Sequence, residues 1–186
     1  QELRNMLYSA VYHYKQGPVS MRYPRGNSIG VPTGSMQALP LGKGEILRSG
    51  RDVAIVAIGN MVHKSLEAAE LLWQEGISAE VVNARFVKPL DTALLDDLCS
   101  RFEKVITVED GQKQGGFGSA VLEYIGTHHN RKTDVHIHGI DDVFVEHGTQ
   151  EELWHDLGLD AEGIANVVKE FIGFPQHLDT IELVGR

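Results

Sequence analysis

The sequence has little that would anchor it covalently or in a membrane. Its 186 residues include a single cysteine, Cys99, so no disulfide can form within the chain. We predict a buried structural thiol, because Cys99 lies in an apolar-periodic segment. A chain without disulfides fits a reducing cytoplasm. No apolar run approaches the roughly 20 residues of a membrane span, and the N-terminus has no signal-peptide pattern.

Positive charge is also scarce. Lys and Arg number 17 against 26 Asp and Glu, which gives a formal net charge of −9. Nucleic acids and anionic membrane surfaces both select clustered Lys and Arg, so the charge balance argues against either as a partner. The apolar fraction of 42% and the charged fraction of 23% are those of an ordinary globular domain.

The first 36 residues cannot form a core of their own. Apolar residues at helical spacing from Leu3 to Tyr14 predict an amphipathic helix, which Gly17-Pro18 ends. Val19–Tyr23 is predicted to be a short strand, and Gly26–Pro40 has the composition of a linker. We therefore expect residues 1–36 to be the last helix and strand of a preceding domain, with its linker. Gln1 falls inside the helical pattern, which is typical of a cut end.

The rest of the chain alternates between strand and helix patterns. Two strands, Gly44–Arg48 and Asp52–Ile58, flank Ser49-Gly50-Arg51 and are predicted to pair as a hairpin. The elements that follow are a helix over Val62–Glu75, a strand over Ala79–Asn83, a helix after Asp91, a strand over Val105–Val108, a helix over Gly116–Gly126, a strand over Val135–Ile140 and two helices after Thr149 and Ile164. This order predicts an α/β domain over residues 37–175, in which helices cover both faces of a mostly parallel sheet in three layers. Residues 176–186 are expected to be a loosely held tail.

Three segments are predicted to lie where ligands bind open α/β sheets, beyond the carboxyl ends of the strands. They are Gly59–Met61, Asn83–Pro89 and Glu109–Gly118. The third is glycine-rich and leads into a helix, as a phosphate-binding loop does. It matches neither the dinucleotide fingerprint nor the P-loop, and its two leading carboxylates would repel phosphate. We therefore favour the interpretation that these glycines permit a tight strand-to-helix crossing.

Four of the nine histidines lie close together in sequence: His128, His129, His136 and His138. His136 and His138 alternate at period two and so share one face of a strand. Neither cysteine nor carboxylate stands at ligand spacing beside them, so we predict no metal site here. We expect solvated or edge-strand histidines instead.

The segment Arg22-Tyr23-Pro24-Arg25-Gly26 is the strongest candidate for a functional site. Two guanidinium groups flank an X-Pro turn, and Arg is suited to bidentate recognition of phosphate or carboxylate. On spacing alone, a surface turn with solvated arginines is an equally good interpretation.

The same segment carries a family resemblance. The chain resembles the C-terminal portion of the 1-deoxy-D-xylulose-5-phosphate synthases, a branch of the transketolase family. The segments that carry the resemblance are Gly17–Asn27, Leu41–Glu45, Val82–Asp91, Thr107–Gly111, Gly115–Ala120 and Phe144–Leu153. Other transketolases share the fold and parts of the glycine block. The R-Y-P-R-G and V-E-H-G-T-Q-E-E-L segments are more particular to the synthases.

The resemblance implies a role as part of a larger enzyme. That enzyme would use thiamine diphosphate and Mg²⁺ to condense pyruvate with glyceraldehyde 3-phosphate, with loss of CO₂, and would act as a homodimer. By position in the motif, Arg25 is expected to bind the phosphate of the aldehyde, with Arg22 as a weaker candidate. The metal–diphosphate motif and the catalytic glutamate of the family have no counterpart here, so no catalytic, cofactor-binding or metal-binding residue is predicted in this chain, and the piece alone is expected to be inactive.

Two other functions remain open. The chain could be a non-catalytic scaffold or subunit of another transketolase-type enzyme. It could also be an unrelated nucleotide-binding domain that uses the turn from Gly111 to Gly118.

Overall fold

The fold is a sheet with helices on both faces, preceded by a separate helix. It is seen in a computed structural model, which describes residues 1–24, 30, 32–128 and 133–175. The elements in chain order are α1 (Glu2–Tyr12), β1 (Glu45–Arg48), β2 (Val53–Ala57), α2 (Met61–Gln74), β3 (Ala79–Asn83), α3 (Thr92–Arg101), β4 (Lys104–Gln112), α4 (Phe117–His128), β5 (Asp134–Ile140), α5 (Gln150–Asp156) and α6 (Ala161–Ile172).

The sheet has five strands in the order β1-β3-β2-β4-β5. Strand β2 pairs in parallel with β3 and β4, and β4 pairs in parallel with β5. Every residue of β2 and β3 is buried, which is expected where helices cover both faces of a parallel sheet. The predicted three-layer α/β/α architecture with a mostly parallel sheet is confirmed.

Two apolar clusters hold the layers together. On one face α2 and α6 pack on the sheet through residues such as Leu72, Ile164 and Val168, and Trp154 of α5 joins them. On the other face α3 and α4 supply Leu98 and Val121. The core therefore lies on both faces of the sheet, and the two ends of the strands are left uncovered by these clusters.

The predicted hairpin between the first two strands is wrong. Strand β1 pairs antiparallel with β3, from Glu45 opposite Asn83 to Arg48 opposite Val81. Between β1 and β2 the chain passes close to the start of β3, where a Cβ on Gly50 would lie 2.1 Å from the amide nitrogen of Glu80. Local alternation predicts a strand but does not identify its partner, and here the open edge of β3 was the better one.

The N-terminal segment also departs from expectation. Residues 18–24 form no strand, because no strand of the described residues lies beside them to complete a ladder. Helix α1 is present, but it uses a polar face: Asn5 Oδ1 accepts from the Gln37 amide at 3.0 Å, and Ser9 Oγ accepts from the Leu39 amide at 2.8 Å. Its apolar stripe of Leu3, Leu7 and Val11 remains exposed.

The first residues of α3 and α5 agree with the sequence patterns. The Asp91 side chain caps α3 by accepting from the Leu94 amide. Burial opposes ionisation of Asp91, but hydrogen bonds from Lys43, Gly44 and Leu94 outweigh it and lower its pKa. Thr149 and Glu152 form the predicted capping box at the start of α5.

Some predictions concern residues outside the described ranges, namely those about Arg25, His129 and the tail 176–186. Cys99 is only partly buried, and that burial raises its pKa. Across the described residues, no helix combines the length and the apolar character needed to cross a membrane.

Candidate functional site

A cleft of about 450 Å³ opens at the carboxyl edge of the sheet. Gly59 and Asn60 follow β2 on one wall, Val87 follows β3, and the Glu109–Phe117 segment forms the opposite wall. These residues come from the three segments that the sequence placed at this edge. The structure thus brings the three segments together at the carboxyl ends of the strands.

The candidate segment around Arg22 also reaches this cleft. Arg22 Nη2 donates a hydrogen bond of 2.8 Å to the backbone carbonyl of Asp110, 88 residues away in sequence. Tyr23 and Pro24 contribute to the lining of the same cleft. The structure thus brings Arg22 to the ligand-binding edge of the sheet, while Arg25 lies outside the described residues.

Glu109 fills the position that a bound phosphate would take at the start of α4. Its carboxylate accepts from the Phe117 amide at 2.9 Å and from the Gly118 amide at 2.8 Å. The residue is only 5% exposed. The amides that attract an anion at a helix N-terminus already have a protein carboxylate as their partner. This arrangement argues against the nucleotide-binding alternative.

The glycines of this wall permit close packing, as the sequence interpretation favoured. A Cβ on Gly116 would lie 2.1 Å from the Gln112 carbonyl oxygen and 2.4 Å from Glu109 Oε2. A Cβ on Gly118 would lie 2.5 Å from Thr107 Oγ1. At Gly116 a backbone carbonyl and a carboxylate approach too closely for any side chain, and at Gly118 the side chains of Thr107 and Ile137 do.

Arg85 is a residue that sequence reasoning did not single out. It is the only non-glycine residue with positive φ in the described part of the chain, at 58°. Its Nε donates to Glu2 of α1 at 2.6 Å, and its Nη2 donates to Glu45 of β1. Arg85 therefore ties α1 to the sheet. No local signal marks it, because an arginine in the left-handed region has no sequence pattern of its own.

The histidines of β5 line a second cavity, of about 540 Å³, between the edge strand and α6. Lys113 and Asp141 form an ion pair of 2.9 Å at this cavity. His136 and His138 lie on an edge strand, which is one of the two expected settings, and His138 is buried with its Nε2 2.8 Å from the Gly158 carbonyl oxygen. Burial lowers the pKa of both His136 and His138.

The described residues do not fit a magnesium–diphosphate site. Among them no group of three or more His, Cys, Asp or Glu side chains has the arrangement of a metal site. At the N-terminus of α4, the carboxylate of Glu109 already accepts from the two amides that a diphosphate would use.

Comparison with known proteins agrees with the fold and the motifs. Residues 42–164 match the family model described as transketolase, C-terminal domain. A protein of Microcystis aeruginosa named 1-deoxy-D-xylulose-5-phosphate synthase is 50% identical over 169 residues, which cover 90% of this chain and 26% of the relative. A protein of the same name from Aquifex aeolicus is 46% identical over 170 residues, 91% of this chain and 27% of the relative.

A solved structure extends the likeness to three dimensions. It is described as a split gene transketolase, an inactive beta4 tetramer, and aligns with a TM-score of 0.68 at 34% identity over 83% of this chain and 48% of its own. The chain spans about a quarter of the length of the curated relatives it matches. With a family model covering most of its length, the chain belongs to the transketolase C-terminal domain family.

Proposed function

We propose that this chain is part of a thiamine-diphosphate-dependent synthase that condenses pyruvate with glyceraldehyde 3-phosphate. The product would be 1-deoxy-D-xylulose 5-phosphate, formed with loss of CO₂ in the cytoplasm as a precursor of isoprenoids and thiamine. The names of the matched relatives support this reaction. The chain would contribute phosphate-binding arginines, Arg25 foremost and Arg22 second, while thiamine diphosphate and Mg²⁺ would be held by other parts of the enzyme.

One observation carries the proposal: the hydrogen bond from Arg22 to the Asp110 carbonyl oxygen. It holds the start of the R-Y-P-R-G segment at the carboxyl edge of the sheet, where α/β domains bind ligands. A guanidinium in that place can bind a phosphate through two charge-assisted hydrogen bonds. The proline between the two arginines stiffens the chain that connects them.

The N-terminal segment supports a place within a longer polypeptide. The apolar stripe of α1, formed by Leu3, Leu7 and Val11, is exposed in the described structure. Such a stripe is stable when another apolar surface covers it. We propose that residues 1–36 complete a preceding domain, which would cover the stripe, and that the whole enzyme is a homodimer.

A second candidate function has its own support. The structural neighbour is a split gene transketolase whose beta4 tetramer is inactive. A chain of this fold can therefore exist as a separate, non-catalytic subunit. Under this alternative, our chain would assemble with a coenzyme-binding subunit. Size-exclusion chromatography of the chain with and without the remainder of the enzyme separates the two possibilities.

The proposed phosphate contact is tested by Arg25→Ala in the complete enzyme. Because a charge-assisted phosphate contact contributes about 1.5–3 kcal/mol, we expect the KM for glyceraldehyde 3-phosphate to rise about 10- to 100-fold. The KM for pyruvate should stay the same, and Arg22→Ala should give a smaller rise. Steady-state kinetics with each substrate varied in turn measures both constants.

Arg51→Ala is the matched control. Arg51 is 78% exposed and lies just ahead of β2, at the opposite edge of the sheet from the cleft. Arg51→Ala should leave the KM values for glyceraldehyde 3-phosphate and for pyruvate unchanged. An unaltered aldehyde KM in Arg25→Ala would remove the phosphate assignment.

A further inference from the structure

Strand β4 contains an irregularity beside the cleft. Val108 lies opposite His138, and Gln112 lies opposite Ile140, so four steps along β4 correspond to two steps along β5. The extra residues fall within Glu109–Gly111. Bulges of this kind bend a strand and re-aim its side chains, and they occur often next to active sites.

The bulge turns two groups in different directions. The Glu109 side chain points to the N-terminus of α4, where it accepts from two amides. The carbonyl of the next residue, Asp110, accepts from Arg22. One short stretch of backbone thus joins a buried carboxylate to the arginine at the cleft.

Glycines from two strands make room for this arrangement. A Cβ on Gly139 of β5 would lie 3.0 Å from Glu109 Cγ and 2.9 Å from the Gly111 carbonyl oxygen. A Cβ on Gly111 would lie 3.2 Å from Glu109 Oε2 and 3.5 Å from Arg22 Nη1. The guanidinium of Arg22 and the carboxylate of Glu109 therefore approach the same small space beside Gly111 from two sides.

We infer that Glu109 is a positioning residue for the phosphate-binding segment. Its carboxylate fixes the bulge against α4. The fixed bulge places the Asp110 carbonyl where it accepts from Arg22, and it leaves room beside Gly111 for the Arg22 guanidinium. Arg22, Tyr23 and Pro24, the described part of the R-Y-P-R-G segment, are thereby held in one place over the cleft. This inference rests on the proposed function, because it assigns Glu109 a role in recognising the phosphorylated aldehyde.

The physical reason is that backbone contacts alone would leave this segment loosely placed. Arg22, Tyr23 and Pro24 belong to no helix or strand, and all three are exposed. The position of the hydrogen bond between Arg22 and Asp110 therefore depends on the position of the bulge. A misplacement of about 1 Å at a substrate-binding group can cost on the order of 100-fold in rate.

Two substitutions in the complete enzyme test the inference. Glu109→Gln removes the charge and turns an amide N–H toward one of the two backbone amides, so the bulge loses one of its two anchors. Gly111→Ala is the milder change, because the backbone there is outside the left-handed region and the added methyl group meets only side-chain ends. That methyl group fills the space between Glu109 and Arg22.

The measured quantity is the ratio of kcat/KM for glyceraldehyde 3-phosphate to kcat/KM for unphosphorylated glyceraldehyde. We expect this ratio to fall about 10-fold or more in Glu109→Gln and by a smaller factor in Gly111→Ala, because only the phosphorylated substrate uses the positioned arginines. The thermal midpoint of Gly111→Ala should match that of the unaltered enzyme. Gly126→Ala is the matched control, since a Cβ there meets no atom within 4 Å.

The outcomes separate the inference from the proposed function. If Arg25→Ala lowers the ratio while neither Glu109→Gln nor Gly111→Ala does, Glu109 has no positioning role and the proposed function stands. If both aldehydes lose the same factor, Glu109 is purely structural and the inference is overturned. If Arg25→Ala leaves the ratio unchanged, the phosphate assignment itself fails. Should Glu109→Gln not fold, Gly111→Ala decides the question.

Discussion

Single residues show how this fold accommodates buried charge. Glu80 in β3 has a side chain only 3% exposed, inside a strand whose five residues are all buried. Arg101 pairs with it through two hydrogen bonds of 2.6 and 2.9 Å, and the Gly50 amide donates a third at 3.3 Å. The two hydrogen bonds to Glu80 raise the pKa of Arg101, with a further contribution from Asp97. The carboxylate is thus compensated from two sides.

Removing the cation should therefore destabilise the domain. In Arg101→Met the Glu80 carboxylate stays buried without its partner. We expect the free energy of unfolding to fall by about 2 kcal/mol, less than for a fully buried pair because solvent reaches Arg101. Urea unfolding followed by circular dichroism measures the change, and Arg51→Met, at an exposed position, should stay within about 0.5 kcal/mol of the unaltered protein. Equal stability of the two variants would contradict this account.

Glu109 marks the limit of sequence reasoning at this scale. The sequence placed it at the carboxyl ends of the strands, where it lines the cleft. Its partners, the amides of Phe117 and Gly118, lie eight and nine residues further on and become neighbours only through the bulge. No periodic pattern encodes such a bulge, so the inward turn of its side chain could not be predicted.

At the scale of elements, α5 is a short helix that depends on its cap. It has only seven residues, and isolated helices of that length are unstable in water. The Thr149 hydroxyl accepts a hydrogen bond from the Glu152 amide, and the Glu152 carboxylate accepts one from the Thr149 amide. The hydrogen bonds from Thr149 lower the pKa of Glu152, so the ionised carboxylate is the form that the cap favours.

Loss of the cap should loosen α5 and the packing of Trp154. We expect Thr149→Ala to cost about 1 kcal/mol of stability, typical of a lost N-cap. Hydrogen exchange of the α5 amides should speed up accordingly. Thr127→Ala serves for comparison, since the hydrogen bonds of Thr127 Oγ1 to described residues all lie within α4. If the α5 amides exchanged at the same rate in both variants, the cap would not stabilise α5.

Elements with a strong local signal were predictable, and those defined by distant partners were not. Helix α2 follows from its apolar period and the glycine at Gly76, which has φ of 88°. Strand β2 follows from its continuous apolar run, and β3 from a short segment with two adjacent valines. The partner of β1 depended on which strand edge was open, and the strand predicted at Val19–Tyr23 has no neighbouring strand among the described residues. Both errors concern pairing, which a linear pattern does not record.

At the scale of the whole molecule, histidines couple stability to pH in two directions. Burial lowers the pKa of His136 and His138, which face Lys113, Asp141 and Glu170 around their cavity. The exposed His155 behaves oppositely, because its hydrogen bond to Asp160 raises its pKa. An unfolded chain gives each histidine its ordinary pKa of about 6.5.

The signs follow from proton binding. The unfolded chain binds protons at His136 and His138 more readily than the folded chain, so their contribution is present above about pH 6.5 and is lost as the pH falls below it. The contribution of His155 is present below about pH 6.5 and is lost as the pH rises through its raised pKa. The slope of the unfolding midpoint against pH, measured from pH 5 to 8, should therefore change in one direction in His138→Gln and in the opposite direction in His155→Gln. The same change of slope in both variants would contradict the assignment.

The direction of β1 has a practical consequence for handling this protein. Because β1 runs antiparallel to β3, the chain enters the sheet at the end of the strands that carries the cleft. Lys104, at the start of β4, donates to the Phe171 carbonyl near the end of α6, so the last helix finishes toward the other end. A fluorophore or surface tether placed beyond α6 would stand clear of arriving ligands, whereas the same label ahead of residue 45 would crowd them.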